Sequence, residues 1–364
     1  MIKNNYDIKN GISVVIPMYN CEKFVPGVLK MFSEQSFKNF EVICVIDGAT
    51  DGTEEAVRRY CGKDARFRYV TRENGGAGAA RNTGMERAGG KYIIFPDADD
   101  VYAEDYLKKL YGAAESKDAD IAVCRSETFD YSVGEKRRIE SFNKRVLKEK
   151  KVYSLKNTKN LLVMIDVQVA NKLFLLDYIR SAGICFSGTP ASNDLFFSKA
   201  AVAGAGRIVT VHDKLLTIRR HINPDSISSK RGRHVSHALR ELQKTYDWLK
   251  EHDLLRYCIN DYLALFDNTV NYEMKNGIDP VFAEEMAHML DHNEPWISLN
   301  NEQKKSALSK CMGDRGMEAE KPMRKIYSAG KISRIEARNE IIKRRNENKR
   351  LMQEMVGNCL NIKL

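Results

Sequence analysis

Apolar residues come in short unbroken blocks through the first third of the chain, and each block ends in a polar turn. Ile12-Ser13-Val14-Val15-Ile16-Pro17 is near-continuous, the pattern of a strand buried on both faces of a parallel sheet. It ends at Pro17-Met18-Tyr19-Asn20, and helical spacing follows from Lys23 to Gln35 through Phe24, Val28, Leu29 and Phe32. A second strand, Phe40 to Ile46, runs into Asp47-Gly48-Ala49-Thr50-Asp51-Gly52-Thr53. Glycine turn chemistry there, with Thr53 as N-cap, predicts a helix from Glu54 to Tyr60. Phe67 to Val70 reads as a third strand, and the glycine-rich Gly75 to Gly84 stretch opens another helix. Lys91 to Phe95 then forms an apolar strand that delivers Asp97, Asp99 and Asp100 at its end, with a helix expected from Val101 onward.

Strands alternating with helices predict βαβ units with right-handed crossovers. The fold class is therefore α/β, with a mostly parallel central sheet flanked by helices. Residues 1–125, closing with the strand Ile121 to Cys124, form a nucleotide-binding layer. Residues 126–232 continue the same domain: an insertion or edge hairpin to about Val152, Asn171-Lys172-Leu173-Phe174 before a helix-like stretch, and a polar loop feeding a helix at Gly188 to Phe197. A strand at Leu215 to Ile218 then runs into Arg219-Arg220-His221. Residues 233–364 are a helical C-terminal region.

Charge changes this picture only at the far end. The 364 residues carry a net charge of +10, but Lys321 to Arg350 alone holds eleven basic and three acidic residues, so the body is nearly neutral. A nucleic-acid-binding face across the main domain is not expected. From Lys331 to Met355 apolar residues recur at Ile332, Ile335, Ile342, Met352 and Met355, an amphipathic helix with a thin apolar stripe. It suits a solvated helix, a self-associating pair that would make the protein a homo-oligomer, or electrostatic contact with an anionic leaflet or polymer. No stretch approaches the ~20 apolar residues of a membrane span, and the N-terminus lacks an apolar h-region. The eight cysteines are scattered, without metal-ligand spacing. A cytoplasmic protein, peripheral at most on the inner face of the membrane, is expected.

The chemistry gathers at strand ends. In an open α/β sheet these ends share one edge, where ligands bind. Like charges at the end of a buried strand are costly unless a cation or substrate is expected there; the alternative for Asp97 to Asp100 is capping of the next helix. The Gly75 to Gly84 segment either cradles a phosphate at a helix start, with Arg81 placed to pair bidentately with a diphosphate, or is a flexible turn. Its spacing matches neither the dinucleotide-binding fingerprint nor a P-loop.

Four motifs in order, Ser13 to Asn20, Asp47 to Thr53, Asn74 to Gly84 and Asp97 to Asp100, resemble the family 2 glycosyltransferases of the GT-A fold. The likeness is strongest over residues 12–110 and continues loosely to about 228, through Asn171 to Phe174, Asn193-Asp194 and Asn223 to Ser228. It implies an inverting, metal-dependent enzyme that moves a sugar from a nucleotide-diphosphate donor, a UDP-sugar, to a hydroxyl of a surface polysaccharide, teichoic-acid-like or lipid-linked acceptor. Pro17 and Tyr19 would cradle the base, Asp47 would hydrogen-bond the uracil, and Asn74 and Arg81 would contact the donor. Ile46 stands where the family often has a second acid. Asp97 and Asp99 form the D-x-D motif, with Asp99 coordinating Mn2+ or Mg2+ and Asp97 touching the ribose or the metal; Arg220 and His221 would close over the diphosphate. Asp194 inherits the catalytic-base role from the family's Glu-Asp pair, Asn193 replacing the Glu. Helix capping remains its structural alternative, as a plain loop position does for His221. A non-catalytic nucleotide-sugar or polyanion module acting through the basic tail is the competing function.

Overall fold

A computed structural model of the chain describes residues 8–137, 141–220 and 235–276. In chain order the elements are β1 (Ile12–Met18), α1 (Val25–Ser33), β2 (Phe40–Asp47), α2 (Thr53–Cys61), β3 (Phe67–Arg72), α3 (Gly76–Arg87), β4 (Tyr92–Ile94), β5 (Val101–Tyr102) and α4 (Tyr106–Lys117). They continue with β6 (Ile121–Asp130), β7 (Glu135–Arg137), α5 (Leu161–Met164), β8 (Lys172–Leu175), α6 (Leu176–Ser181), α7 (Asn193–Gly204), β9 (Ile208–Arg220), α8 (Val235–Glu251) and α9 (Leu255–Asn276). The chain divides into two compact units, residues 1–230 with 244–261, and residues 231–243 with 262–364.

The first unit is built on one sheet of order β3-β2-β1-β4-β8-β6-β9-β5, with β7 paired to β6. The four strands β3, β2, β1 and β4 are all parallel, and β1 and β2 are buried nearly end to end, as unbroken apolar runs require. Beyond β4 the sheet is mixed: β8 enters antiparallel to β4 and to β6, and β6 runs parallel to β9. Two antiparallel steps restore direction, so the carboxyl ends of β1, β2, β4 and β6 lie on the same edge.

The expected edge hairpin is present as β6 with β7, joined in register from Thr128↔Arg137 to Asp130↔Glu135. Residues 101–102 are not the start of a helix but strand β5, pairing antiparallel with Leu216 and Thr217 of β9; α4 begins only at Tyr106. A local pattern of two residues cannot carry this, because the pairing partner is more than a hundred positions away. Thr53 is likewise not the N-cap of α2. It is the first helical residue: Asp51 Oδ1 accepts its amide at 3.1 Å, and Thr53 Oγ1 accepts the Cys21 amide at 2.9 Å.

Helix α7 is buried on almost every side. Phe197 from α7 packs on Phe95, Phe174 and Phe186, with Phe186 and Phe197 stacked at 3.9 Å. Phe95 directly precedes Pro96-Asp97, so this aromatic cluster fixes the acidic turn to the helix beneath it. In the second unit the described segment of α8 and that of α9 meet where the Tyr262 hydroxyl donates to the Leu242 carbonyl at 3.2 Å. No described helix is long and apolar enough to cross a membrane. The basic stretch Lys331 to Met355 lies outside the described residues.

Candidate active site

The loops after β1 and β2 are knitted together at the sheet edge. Asn20, with φ of 44°, accepts the Thr50 amide at 2.8 Å on Oδ1. Glu22 and Asp51 tie the same two loops: the Glu22 amide donates to Asp51 at 3.1 Å and the Gly52 amide to Glu22 at 3.1 Å. Tyr19 stands out from this platform at 54% exposure, and Pro17 is half-buried beside it.

Asp47 ends β2 and is buried at 2% exposure. Its two oxygens accept the amides of Gly75 at 3.0 Å and Gly76 at 2.7 Å, and Arg72 Nε lies 3.4 Å away. Asn74 Nδ2 donates back to the Asp47 carbonyl at 3.0 Å. The anion held at the start of α3 is thus a side chain of the protein. Gly48, at φ of 66°, lets this happen: a Cβ there would lie 2.7 Å from the Asn74 amide, and only glycine adopts that conformation without strain.

The acidic turn after β4 sorts its three carboxylates. Tyr102 clamps the Asp97 backbone from both sides, its hydroxyl accepting the Asp97 amide at 2.7 Å and donating to the Asp97 carbonyl at 3.0 Å. Asp97 Oδ1 accepts Arg81 Nη2 at 2.6 Å, and the side chain stays 37% exposed. Asp100 is buried and accepts the Arg219 amide of β9 at 2.9 Å. It therefore braces a strand, not the following helix. Arg219 also donates from Nε to the Asp99 carbonyl, and its guanidinium lies over the Phe24 ring at 5.4 Å.

Burial, followed by the neighbouring Asp97 charge, lifts the Asp99 carboxyl to about 6. Burial and the charges of Asp97 and Asp99 raise Asp100 as well. A half-buried carboxylate crowded by like charge is stabilised by a cation, and two carboxylates plus phosphate oxygens are the ligand chemistry of Mn2+ or Mg2+. The residues present fit such an ion through Asp99 and the second oxygen of Asp97, with the remaining ligands from diphosphate and water. No cluster of three protein metal ligands exists among the described residues.

Arg81 in α3 joins this turn to α7. It is 6% exposed, donates from Nη1 to Asn193 Oδ1 at 3.1 Å, and lies over the Phe186 ring at 5.3 Å. Asn193 opens α7 and Asp194 follows in its first turn, half-buried. Arg220 is exposed at the end of β9, where its carbonyl accepts the Tyr131 amide at 3.0 Å. His221 lies outside the described residues. The structure thus gathers Pro17, Tyr19, Asp47, Asn74, Asp97 and Asp99 at the carboxyl ends of β1 to β4, with Arg81 in α3, and links them to Asn193-Asp194. Arg72, Tyr102 and Phe186 give no sign in the sequence, since each acts through a partner in a different motif. Arg219 could be suspected from its place beside Arg220.

Residues 13–178 match the model of Glycosyl transferase family 2. Glycosyltransferase GlyA of Streptococcus pneumoniae serotype 4 is 37% identical over 127 residues, covering 35% of this chain; the chain spans 18% of that relative's length. Staphylococcus aureus TarS, solved in complex with UDP-GlcNAc, superposes with a TM-score of 0.55 at 17% identity over 92% of this chain and 89% of that one. A Pyrobaculum calidifontis mannosyltransferase in complex with GDP-Man and Mn2+ gives a TM-score of 0.51 at 17% identity, over 86% of this chain and 92% of that one. At these identities the two structures speak for the fold. Residues 13–178 are thus similar to glycosyl transferase family 2, and the fold is α/β of the GT-A type.

Proposed function

We propose that the protein is an inverting, metal-dependent glycosyltransferase that moves a sugar from a nucleotide-diphosphate donor, a UDP-sugar, to a hydroxyl of a surface-glycan or lipid-linked acceptor. The observation that carries this reading is the convergence of Tyr19, the Asp47 loop and the Asp97–Asp99 turn on one sheet edge, joined through Arg81 to the helix that begins Asn193-Asp194. The family match and the nucleotide-sugar complexes of the structural neighbours support it.

The base lies on Tyr19 against Pro17, with the buried Asp47 and Asn74 forming the wall beside it. Asp99 and Asp97 would hold a divalent cation beside the diphosphate. When bound, the cation stabilises the negative charge on the departing nucleoside diphosphate as a Lewis acid. Arg219 keeps the turn in place, and the exposed Arg220 beside it would contribute positive charge toward the phosphates. On the acceptor side the Asp194 carboxylate takes the proton of the attacking hydroxyl. The acceptor oxygen forms its bond to the anomeric carbon on the face opposite the diphosphate, and the bond from that carbon to the diphosphate oxygen breaks. The sugar is transferred with inversion, the proton ends on Asp194, and the electron pair leaves with the nucleoside diphosphate.

The test is release of UDP by the purified protein across a panel of UDP-sugars in Mn2+, with and without EDTA. Turnover should be lost with EDTA and in Asp99→Ala. Asp194→Ala should lose transfer by about 100-fold or more while UDP binding stays within a few-fold. Metal-independent turnover, or Asp99→Ala behaving like the wild type, overturns the reading; loss of UDP binding in Asp194→Ala removes the base from Asp194.

A further inference from the structure

We infer that the glycine-rich start of α3 is a platform for the acceptor-side segment 186–194, and that Arg81 is a positioning residue acting through Asp97 and Asn193 instead of a donor contact. The inference rests on the transfer reaction proposed above. Its basis is that α3 meets this segment at three places within one and a half turns. At Gly78 the helix approaches so closely that a Cβ would lie 2.4 Å from the Ser187 carbonyl and 3.3 Å from Asn193 Cβ. At Asn82 the side-chain amide makes a reciprocal pair with the Phe186 backbone, donating to its carbonyl at 2.9 Å and accepting its amide at 2.9 Å. Between them Arg81 forks, Nη1 to Asn193 at 3.1 Å and Nη2 to Asp97 at 2.6 Å.

The fork fixes a distance. A guanidinium is planar and rigid, so two acceptors on different nitrogens are held at a set separation. Here one acceptor belongs to the turn after β4 and the other to the first residue of α7. Arg81 is buried, and its Nε has no hydrogen-bond partner, so the side chain is held by these two groups and the Phe186 ring. Asn193 is neutral, so the charge of the fork is answered from the other side, where the Asp97 oxygen sits at 2.6 Å. Asn193 is itself oriented by donating from Nδ2 to the Thr189 carbonyl at 3.2 Å. The same segment is also held by Lys244, whose Nζ donates to Ser187 Oγ at 3.0 Å and lies over the Phe196 ring at 4.2 Å. The first amides of α3 are engaged by Asp47, so this helix start serves the protein's own groups on both sides.

The experiment compares Arg81→Met, Arg81→Lys, Asn193→Ala and Asn82→Ala with the wild type. UDP affinity in Mn2+, steady-state UDP release from a UDP-sugar the wild type turns over, and hydrogen exchange of segment 186–194 are measured together. Asn193→Ala should lower kcat at least tenfold with KM for the donor and the affinity for UDP changed less than threefold. Adding Arg81→Met to Asn193→Ala should lower kcat by less than the product of the two single losses, because the two variants share the Arg81–Asn193 link. Arg81→Lys, which reaches one acceptor, should keep UDP affinity and lose kcat. Amides of 186–194 should exchange at least tenfold faster in Arg81→Met and Asn82→Ala, with β1 and β2 unchanged. Should Arg81→Met fail to fold, Asn193→Ala and Asn82→Ala carry both readouts. A tenfold rise in the UDP dissociation constant for Arg81→Met with kcat retained, or unaltered exchange in 186–194, overturns the inference. The exchange arm needs no turnover, so it separates failure of the platform from failure of the proposed reaction.

Discussion

Single residues at this site are governed by what burial does to charge. Lys199 in α7 is fully enclosed, its Nζ donating to the carbonyls of Leu162 at 2.7 Å and Ile165 at 2.6 Å. Burial, followed by the Lys172 charge, pulls its amine down to about 7 against the raising influence of Asp166 and Asp194. An unfolded lysine titrates near ~10.4, so between about pH 7 and 10 the unfolded chain binds the extra proton and stability rises with pH. Below about pH 7 both states carry it and the slope vanishes. Urea melts of the wild type should therefore show a stability gain from pH 7 to 9.5 that Lys199→Met lacks. Equal slopes in the two proteins would show that Lys199 stays charged in the fold. Asp166, by contrast, is held by Lys172 at 2.8 Å and Asn171 at 3.0 Å, which explains why the Asn171-Lys172 pair stands where it does: it satisfies a polar cluster directly under α7.

Whole elements divide between those set by their own residues and those set by a neighbour. Helix α3 has its apolar and polar residues scattered, because small residues let it lie close to β1, β2 and the 186–194 segment at once. Gly78 and Gly112 make the contrast testable. A Cβ on Gly112 in α4 would meet nothing within 4 Å, whereas one on Gly78 would meet the Ser187 oxygen at 2.4 Å. Gly112→Ala should stabilise by up to about 1 kcal/mol through helix propensity and a less free unfolded chain. Gly78→Ala should destabilise by about 1–3 kcal/mol through overpacking, with slower UDP release. Thermal melts of the two variants check the sign; a neutral Gly78→Ala would mean that α3 and the segment can part without cost.

At the scale of the whole molecule the site is an unfinished electrostatic structure. Asp97, Asp99 and Asp100 bring three carboxylates to one turn, and Arg81 and Arg219 are the cations the structure sets against them. A donor diphosphate with its cation would complete it and bind the folded state alone. UDP with Mn2+ at about 100 times its dissociation constant should then stabilise by about 2.7 kcal/mol. For a unit of this size that is a rise in Tm of about 5–10 °C. EDTA or Asp99→Ala should remove the rise, and UDP that stabilises equally without the metal would place the cation elsewhere.

The order β1, α1, β2, α2, β3, α3, β4 was legible in the sequence because a strand buried on both faces must be apolar throughout, and turns between such strands need glycine and short polar residues. The acids at those strand ends were legible for the same reason: parallel strands put their carboxyl ends on one edge. What the tertiary structure alone decided is the partner of each group. Asp47 reads as a uracil contact, and only the fold shows Gly75 and Gly76 turning their amides onto it. Asp100 reads as a helix cap until β9 supplies the Arg219 amide. Arg81 reads as a diphosphate ligand until it is found between Asp97 and Asn193, the latter 112 positions away. Residue type and spacing settle which groups reach the edge of the sheet, because that is a matter of local periodicity. Which carboxylate remains open to a cation depends on hydrogen bonds between segments far apart in the chain, and no local pattern encodes those.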